Sequence, residues 1–145
     1  MKNLTVVTDV AMAEVGAKKT AKLFSSHPQA GFPSPGDDLV EKSLDLNDLL
    51  IDQPSSTFFV RVSGDSMEGS RIFDEDILIV DRSKEAKAGT IVIAAVYGEM
   101  VVKRLEKLNG QMALVSTNEE YKPILVNDSE DIYIWGVVTG LVRNI

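Results

Sequence analysis

The sequence predicts a mainly β fold: a small domain of antiparallel strands with little helix, preceded by a flexible N-terminal arm. Six segments after residue 56 are rich in Val, Ile, Phe and Tyr, which favour strands. They cover residues 57–62, 77–81, 90–97, 100–105, 112–117 and 132–141. Short turn sequences join some of these segments, and a Pro- and Gly-rich stretch separates all of them from the first thirty residues.

Two dipeptides between the predicted strands are typical of tight hairpins. Gly98-Glu99 lies between the third and fourth segments, and Asn109-Gly110 lies between the fourth and fifth. Such dipeptides suit two-residue turns between antiparallel strands. We therefore expect a mainly antiparallel sheet that is rolled into a small barrel or folded into a pair of sheets.

The N-terminal part of the chain shows weaker patterns. Residues 1–30 are expected to form an arm, with only a weak helical face over residues 10–18. Residues 30–37 contain two prolines and two glycines, which disfavour helix and strand pairing and keep the backbone accessible. After them, Asp37 or Asp38 is predicted to cap a short helix, which Pro54 ends. The predicted boundary therefore separates residues 1–30 from a domain of residues 31–145.

Composition excludes several classes of function. With 15 Lys and Arg against 22 Asp and Glu, the net charge of −7 disfavours direct binding to nucleic acid. The chain has no Cys, which excludes disulfides, thiolate nucleophiles and Cys-ligated zinc and is compatible with the cytoplasm. The longest apolar run, residues 90–97, is too short to cross a membrane. We expect a cytoplasmic protein.

No cofactor or metal is expected. The acidic residues 73–76 invite a calcium loop, but Leu78 and Ile79 stand where an EF-hand loop needs an oxygen ligand and a glycine. We expect these carboxylates to form a turn before the next strand, through side-chain to backbone hydrogen bonds.

A serine and a lysine are the candidates for chemistry. Ser66 follows the first predicted strand in a Gly-containing turn, where a serine alone is most often a local hydrogen-bonding residue. A nucleophile needs a base, and the one histidine, His27, lies in the arm. A lysine amine is the alternative base if burial lowers its pKa. Lys103 shares a strand face with Val101 and Leu105, but the pattern leaves open which face is buried.

Five motifs together resemble a known family. They are Ala30-Gly31-Phe32-Pro33-Ser34-Pro35, Ser63-Gly64-Asp65-Ser66-Met67, Asp76-Ile77-Leu78-Ile79-Val80-Asp81, Val101-Val102-Lys103-Arg104-Leu105 and Trp135-Gly136-Val137-Val138. In this order and spacing they resemble the LexA-like family of self-cleaving Ser-Lys peptidases (S24), in particular its UmuD- and MucA-type SOS-mutagenesis members. The resemblance runs from about Gly31 to the C-terminus. It departs at Glu75, where the family has glycine, and over residues 68–71.

The resemblance implies a function and a set of site residues. It implies that Ser66 is the nucleophile, that Lys103 is the general base and that the Ala30-Gly31 bond is the site of self-cleavage. Backbone amides of Ser66 and Met67 are candidates for the oxyanion hole. It also implies that an activated RecA filament stimulates cleavage and that the shortened product is a homodimer. This dimer would join a UmuC-type polymerase subunit as the error-prone DNA polymerase V.

Three alternatives compete with this interpretation. A LexA-like transcriptional repressor would need a helix-turn-helix domain, for which thirty residues of weak periodicity are too few. A signal peptidase uses Ser-Lys chemistry but should have a membrane anchor. A non-catalytic accessory module of the polymerase remains open, because one self-cleavage leaves the peptidase without a further obligatory substrate.

Overall fold

The computed structural model describes residues 4–16, 20–24, 40–118, 121–127 and 130–145. The chain divides into two compact units. One consists of the residues up to Ala13 together with those from Gln53 onward, and the other covers residues 14–52. The mainly β prediction is confirmed, because strands account for most of the regular structure that is described.

The larger unit is built on one antiparallel sheet. Its strands are β1 (Val6–Met12), β4 (Thr57–Ser63), β5 (Ile77–Asp81), β6 (Ile91–Val96), β7 (Glu99–Leu108), β8 (Gln111–Val115), β9 (Ile124–Leu125) and β10 (Ile132–Val142). They run in the order β1-β4-β5-β10-β6-β7-β8-β9, and β1 also pairs with β7. The strands β1, β4, β5, β10, β6 and β7 therefore close into a six-stranded barrel, which was one of the two predicted arrangements.

All six strands predicted from composition are present, with small shifts at their ends. The predicted hairpins also form, because Tyr97-Gly98 and Asn109-Gly110 have positive φ at both positions, as a two-residue turn of the primed type requires. The first turn is one residue earlier than predicted, since Glu99 begins β7.

Strand β1 lies in the segment for which the sequence predicted an arm. The weak helical pattern of residues 10–18 is wrong where Val10–Met12 are described, because these residues belong to β1. The strand pairs with β4 from Val6↔Ser63 to Met12↔Phe58 and touches β7 at Val6↔Val101. Its pairing partners are far away in the sequence, so a local pattern carries little information about it.

The smaller unit contains a two-stranded antiparallel sheet and one short helix. Strand β2 (Thr20–Phe24) pairs with β3 (Val40–Asp45), and α1 (Leu46–Leu50) follows directly. The side chain of Asp45 accepts a hydrogen bond from the amide of Asn47 and so caps this helix. The predicted cap at Asp37 or Asp38 lies outside the described residues, and the helix predicted after it is wrong at Val40–Asp45, which form β3. In the larger unit, two 3-10 turns span Pro54–Ser56 and Glu68–Ser70.

Two groups of buried apolar side chains stabilise the barrel unit. The first group consists of Val60, Val62, Met67, Ile72, Leu78, Val80, Ile93 and Val102. The second consists of Val92, Ala94, Val101, Leu105, Leu114, Ile132 and Val137. Val102 belongs to the first group and Val101 and Leu105 to the second, so β7 contributes to both. This strand also carries the candidate base.

Candidate active site

Ser66 lies in the loop that leaves β4, and its side chain is fully buried. The next residue, Met67, packs its side chain into the first core group, and its carbonyl accepts hydrogen bonds from the amides of Ser70 and Ile72. Arg71 ends the 3-10 turn in the left-handed region, with φ 64°. The loop is therefore anchored by one buried side chain and by its own backbone hydrogen bonds.

The hydroxyl of Ser66 is engaged by the N-terminal segment. The amide of Thr5 donates to the Ser66 Oγ at 2.8 Å, and the Ser66 hydroxyl donates to the Thr5 Oγ1 at 3.1 Å. Thr5 is itself fully buried. In the described conformation, the Ser66 proton is thus directed at Thr5.

Lys103 is buried, with 2% of its accessible area exposed. It shares its face of β7 with Val101 and Leu105, and both of these are buried as well. The face of β7 that carries Lys103, which the sequence pattern left undecided, is therefore buried. Burial lowers the pKa of the Lys103 amine below its ordinary value, and the nearby charge of Glu99 opposes this shift.

A hydroxyl and an aromatic ring contact the Lys103 amine. Its Nζ donates to the Ser116 Oγ at 2.6 Å, and it lies 5.4 Å from the centre of the Tyr121 ring. Ser116 follows β8, which pairs with β7 through Arg104↔Val115. Continuing this register by one position places Ser116 opposite Lys103.

Two links join the Ser66 loop to the strand of Lys103. Thr5 bonds to Ser66 through its amide, while its carbonyl accepts from the amide of Val102, the neighbour of Lys103. On the other side, Thr117 donates to the carbonyl of Ser66, while Ser116 accepts from Lys103. The Ser66 loop is therefore tied to the strand of Lys103 through Thr5, and to the segment that holds the Lys103 amine through Thr117.

The acidic turn before β5 is structural, as predicted. Asp74 accepts from the amide of Gly64, and Asp76 accepts from the amide of Phe73 and from Arg143. The hydrogen bond from Arg143 lowers the pKa of the buried Asp76 carboxyl. Glu75 has φ 71°, a left-handed conformation that favours glycine.

The structure leaves the predicted cleavage site and the histidine of the arm undescribed. Ala30, Gly31 and His27 lie outside the described residues, between β2 and β3. The backbone hydrogen bonds of the described loop use the amides of Glu68, Ser70, Arg71 and Ile72, and the Ser66 and Met67 amides are not among these donors.

The sequence did not identify Thr5 or Ser116. Ser116 could have been found from the Asn109-Gly110 turn, since a two-residue turn pairs Leu108 with Gln111 and, counting back along both strands, Lys103 with Ser116. Thr5 had no comparable signal, because its contacts are made across 61 positions of the sequence.

Two further observations concern metal binding and membrane-spanning helices. Among the described side chains, no group of three or more His, Cys, Asp or Glu residues is arranged to hold a metal ion. In the same part of the chain, no helix has the length and apolar character needed to cross a membrane.

Comparison with known proteins identifies the family of this chain. The family described as "Peptidase S24-like" matches residues 22–139. Protein SamA of Salmonella typhimurium is 41% identical over 134 residues, which cover 92% of this chain and 93% of SamA. Protein MucA of Escherichia coli is 44% identical over 111 residues, covering 76% of this chain and 75% of MucA.

A repressor is also similar. The LexA repressor of Shewanella sediminis is 36% identical over 116 residues, which cover 79% of this chain but 56% of the repressor. The predicted resemblance to UmuD- and MucA-type proteins is thus confirmed over most of the chain. The chain belongs to the peptidase S24 family, whose matched region contains both Ser66 and Lys103.

Proposed function

We propose that this protein is a self-cleaving Ser-Lys peptidase of SOS mutagenesis, with Ser66 as nucleophile and Lys103 as general base. The observation that carries the proposal is the buried Lys103 amine, whose pKa is lowered by burial and whose strand is tied to the Ser66 loop through Thr5. A neutral amine is able to accept a proton, whereas a protonated surface lysine is not. In this mechanism Ser116 and Tyr121 hold the amine in place.

The proposed reaction breaks the bond between Ala30 and Gly31. Lys103 takes the hydroxyl proton of Ser66 as Ser66 Oγ attacks the Ala30 carbonyl carbon, and the amides of Ser66 and Met67 bind the oxyanion. The protonated Lys103 then returns the proton to the Gly31 nitrogen as the carbon–nitrogen bond breaks. Water hydrolyses the resulting ester and frees the Ala30 carboxylate.

The products have separate fates in the proposed function. Residues 1–30 form the released arm, and residues 31–145 remain as a homodimer in the cytoplasm. An activated RecA filament stimulates the cleavage, and the shortened dimer joins a UmuC-type subunit in an error-prone DNA polymerase. The similarity to MucA and SamA over most of the chain supports this assignment.

Intact-mass analysis tests the proposal directly. The full chain is incubated with RecA, ATP and single-stranded DNA, and the Ser66→Ala variant is treated in parallel. A new species that begins at Gly31 in the wild type alone is the expected result. No cleavage in the wild type would favour the alternative, a non-catalytic accessory module of the polymerase.

A further inference from the structure

The N-terminal strand fills a gap in the barrel next to Ser66. Strand β1 pairs with β4 along its length and reaches β7 at Val6↔Val101, so without it the β4/β7 gap would leave two unpaired strand edges. Unpaired edges bind extended peptides by backbone hydrogen bonds. The β4/β7 gap therefore has the form of a site for an extended peptide.

The start of this strand contacts the nucleophile in a geometry that does not allow attack. The Thr5 amide points its hydrogen at the Ser66 Oγ, which places the oxygen on the N–H side of the Leu4–Thr5 peptide. Attack on a carbonyl carbon requires approach from above the peptide plane. The Ser66 proton is in turn donated to Thr5. The segment thus occupies the site without being a substrate.

The Ser66 loop is shaped to receive this segment. Gly64 has φ +116°, and a Cβ atom at this position would collide with the carbonyl of Leu4 and the Cα atom of Thr5. The lack of a side chain at Gly64 is what allows the backbone before β1 to cross the loop. Gly64 therefore allows the Ser66 loop and the backbone of Leu4 and Thr5 to approach each other closely.

The strand is nevertheless weakly anchored. Leu4, Val6 and Val7 pack against the core groups, but the residues from Thr8 to Met12 are exposed. Val10 and Met12 expose 47% and 56% of their area. The part of β1 after Val7 buries little apolar surface, which is typical of a segment of low local stability.

We propose that β1, with Thr5 at its start, is an internal blocker that occupies the β4/β7 gap and must leave before Ser66 can react. This inference rests on the proposed function, because it assigns a regulation to the same site. The observed reaction rate then equals the intrinsic rate multiplied by the fraction of molecules in which the gap is open.

The first test measures access to position 66 independently of peptidase activity. The natural chain has no cysteine, so Ser66→Cys introduces a single thiol. Its rate of reaction with iodoacetamide is compared in Ser66→Cys alone, with Thr5→Pro, which removes the amide donor, and with Thr5→Ser as the conservative control. We expect Thr5→Pro to raise the rate of thiol alkylation at least about tenfold, because it increases the fraction of molecules in which the gap is open. Thr5→Ser should leave this rate low.

The second test locks the strand reversibly. Val6 lies opposite Ser63, so the double variant Val6→Cys with Ser63→Cys brings two thiols together on neighbouring strands. Self-cleavage of the oxidised and reduced forms of this variant is followed by intact mass. We expect the oxidised form to cleave at least about tenfold more slowly, because its open fraction is suppressed.

The outcomes separate this inference from the proposed function. Equal thiol rates in Thr5→Pro and its parent, or an oxidised form that cleaves as fast as the reduced one, overturn the blocker. A thiol unmasked by Thr5→Pro, together with no cleavage in any form, supports β1 as the occupant of the gap and refutes the peptidase assignment.

Discussion

The amine of Lys103 donates a 2.6 Å hydrogen bond to the hydroxyl of Ser116, and both side chains are buried. Ser116 is positioned by the register of β8 against β7, and the adjacent Thr117 holds the Ser66 carbonyl. One short segment after β8 therefore fixes both the base and the loop of the nucleophile. Changes at this segment should affect catalysis without changing either reacting group.

Replacement of Ser116 by Ala should slow self-cleavage about ten- to hundredfold by misplacing the Lys103 amine. The midpoint of the pH–rate profile should also move to lower pH. The Ser116 oxygen accepts a hydrogen bond from the amine and stabilises its charged form, so the pKa of Lys103 should fall when this oxygen is removed. Ser116→Thr, which keeps the hydroxyl, should restore both. The measurement is the cleavage rate across a pH series, and an unchanged midpoint in Ser116→Ala would contradict the role in positioning.

Removing the charge of Glu99 should also move the midpoint of the pH–rate profile to lower pH. The charge of Glu99 raises the pKa of Lys103 against the larger effect of burial, so Glu99→Gln should lower it further. More of the amine is then neutral near pH 7, and the rate there should rise. Glu85→Gln, on an exposed loop, is the matched control. A midpoint that moves to higher pH in Glu99→Gln would show that Glu99 does not raise the pKa of Lys103.

The stability of the folded chain should depend on the protonation of Lys103. Its pKa is lowered in the folded state from an ordinary value of 10.5, so the unfolded chain binds more protons between the two pKa values. The contribution of Lys103 to the free energy of unfolding should therefore rise with pH through this window. Below the window the full penalty of burying a charged amine remains.

Lys103→Met, which has no ionisable group, tests this linkage. Chemical denaturation over a pH series should show a weaker rise with pH than in the wild type and greater relative stability at neutral pH. The same variant should not cleave itself. Parallel stability curves for the two proteins would mean that the amine titrates alike in both states.

Ser66→Ala should abolish self-cleavage and also lower stability by about 1–3 kcal/mol. The stability loss follows because the buried amide of Thr5 loses its acceptor. Ser63→Ala, on the preceding strand, serves as the control for a serine change in this region. Intact mass and urea denaturation provide the two readouts, and cleavage that persists in Ser66→Ala would remove Ser66 as the nucleophile.

Glu75→Gly should be neutral or stabilising by up to about 1 kcal/mol, although most changes to glycine destabilise. The reason is the positive φ of Glu75, which strains a residue that has a Cβ atom. Glu85→Gly, where φ is not positive, should be destabilising instead. Thermal unfolding of both variants gives the comparison, and a lower midpoint for Glu75→Gly would show that the left-handed position carries no strain.

The sequence predicted the parts of the fold that depend on local patterns. The strands around Lys103 and the turn at Asn109-Gly110 were predicted correctly, and the turn also fixes the pairing that brings Ser116 to Lys103. Burial of Lys103 was not predictable, because apolar residues occupy both faces of β7 and only packing decides between them. Strand β1 was missed because Val6 has partners on two distant strands and Thr8 to Met12 are exposed.

The pairing of β1 with both β4 and β7 also constrains the order in which the barrel assembles. Val6 faces Ser63 on one side and Val101 on the other, so the ring cannot close until almost the whole barrel has formed. Pairing Val6 with Ser63 and Val101 closes long loops of the chain, which is entropically costly, and few apolar contacts of β1 compensate for this cost. Strand β1 should therefore dock last during folding. In the native protein, its amide hydrogens should exchange with solvent before those of β5 and β6, whose side chains form the core.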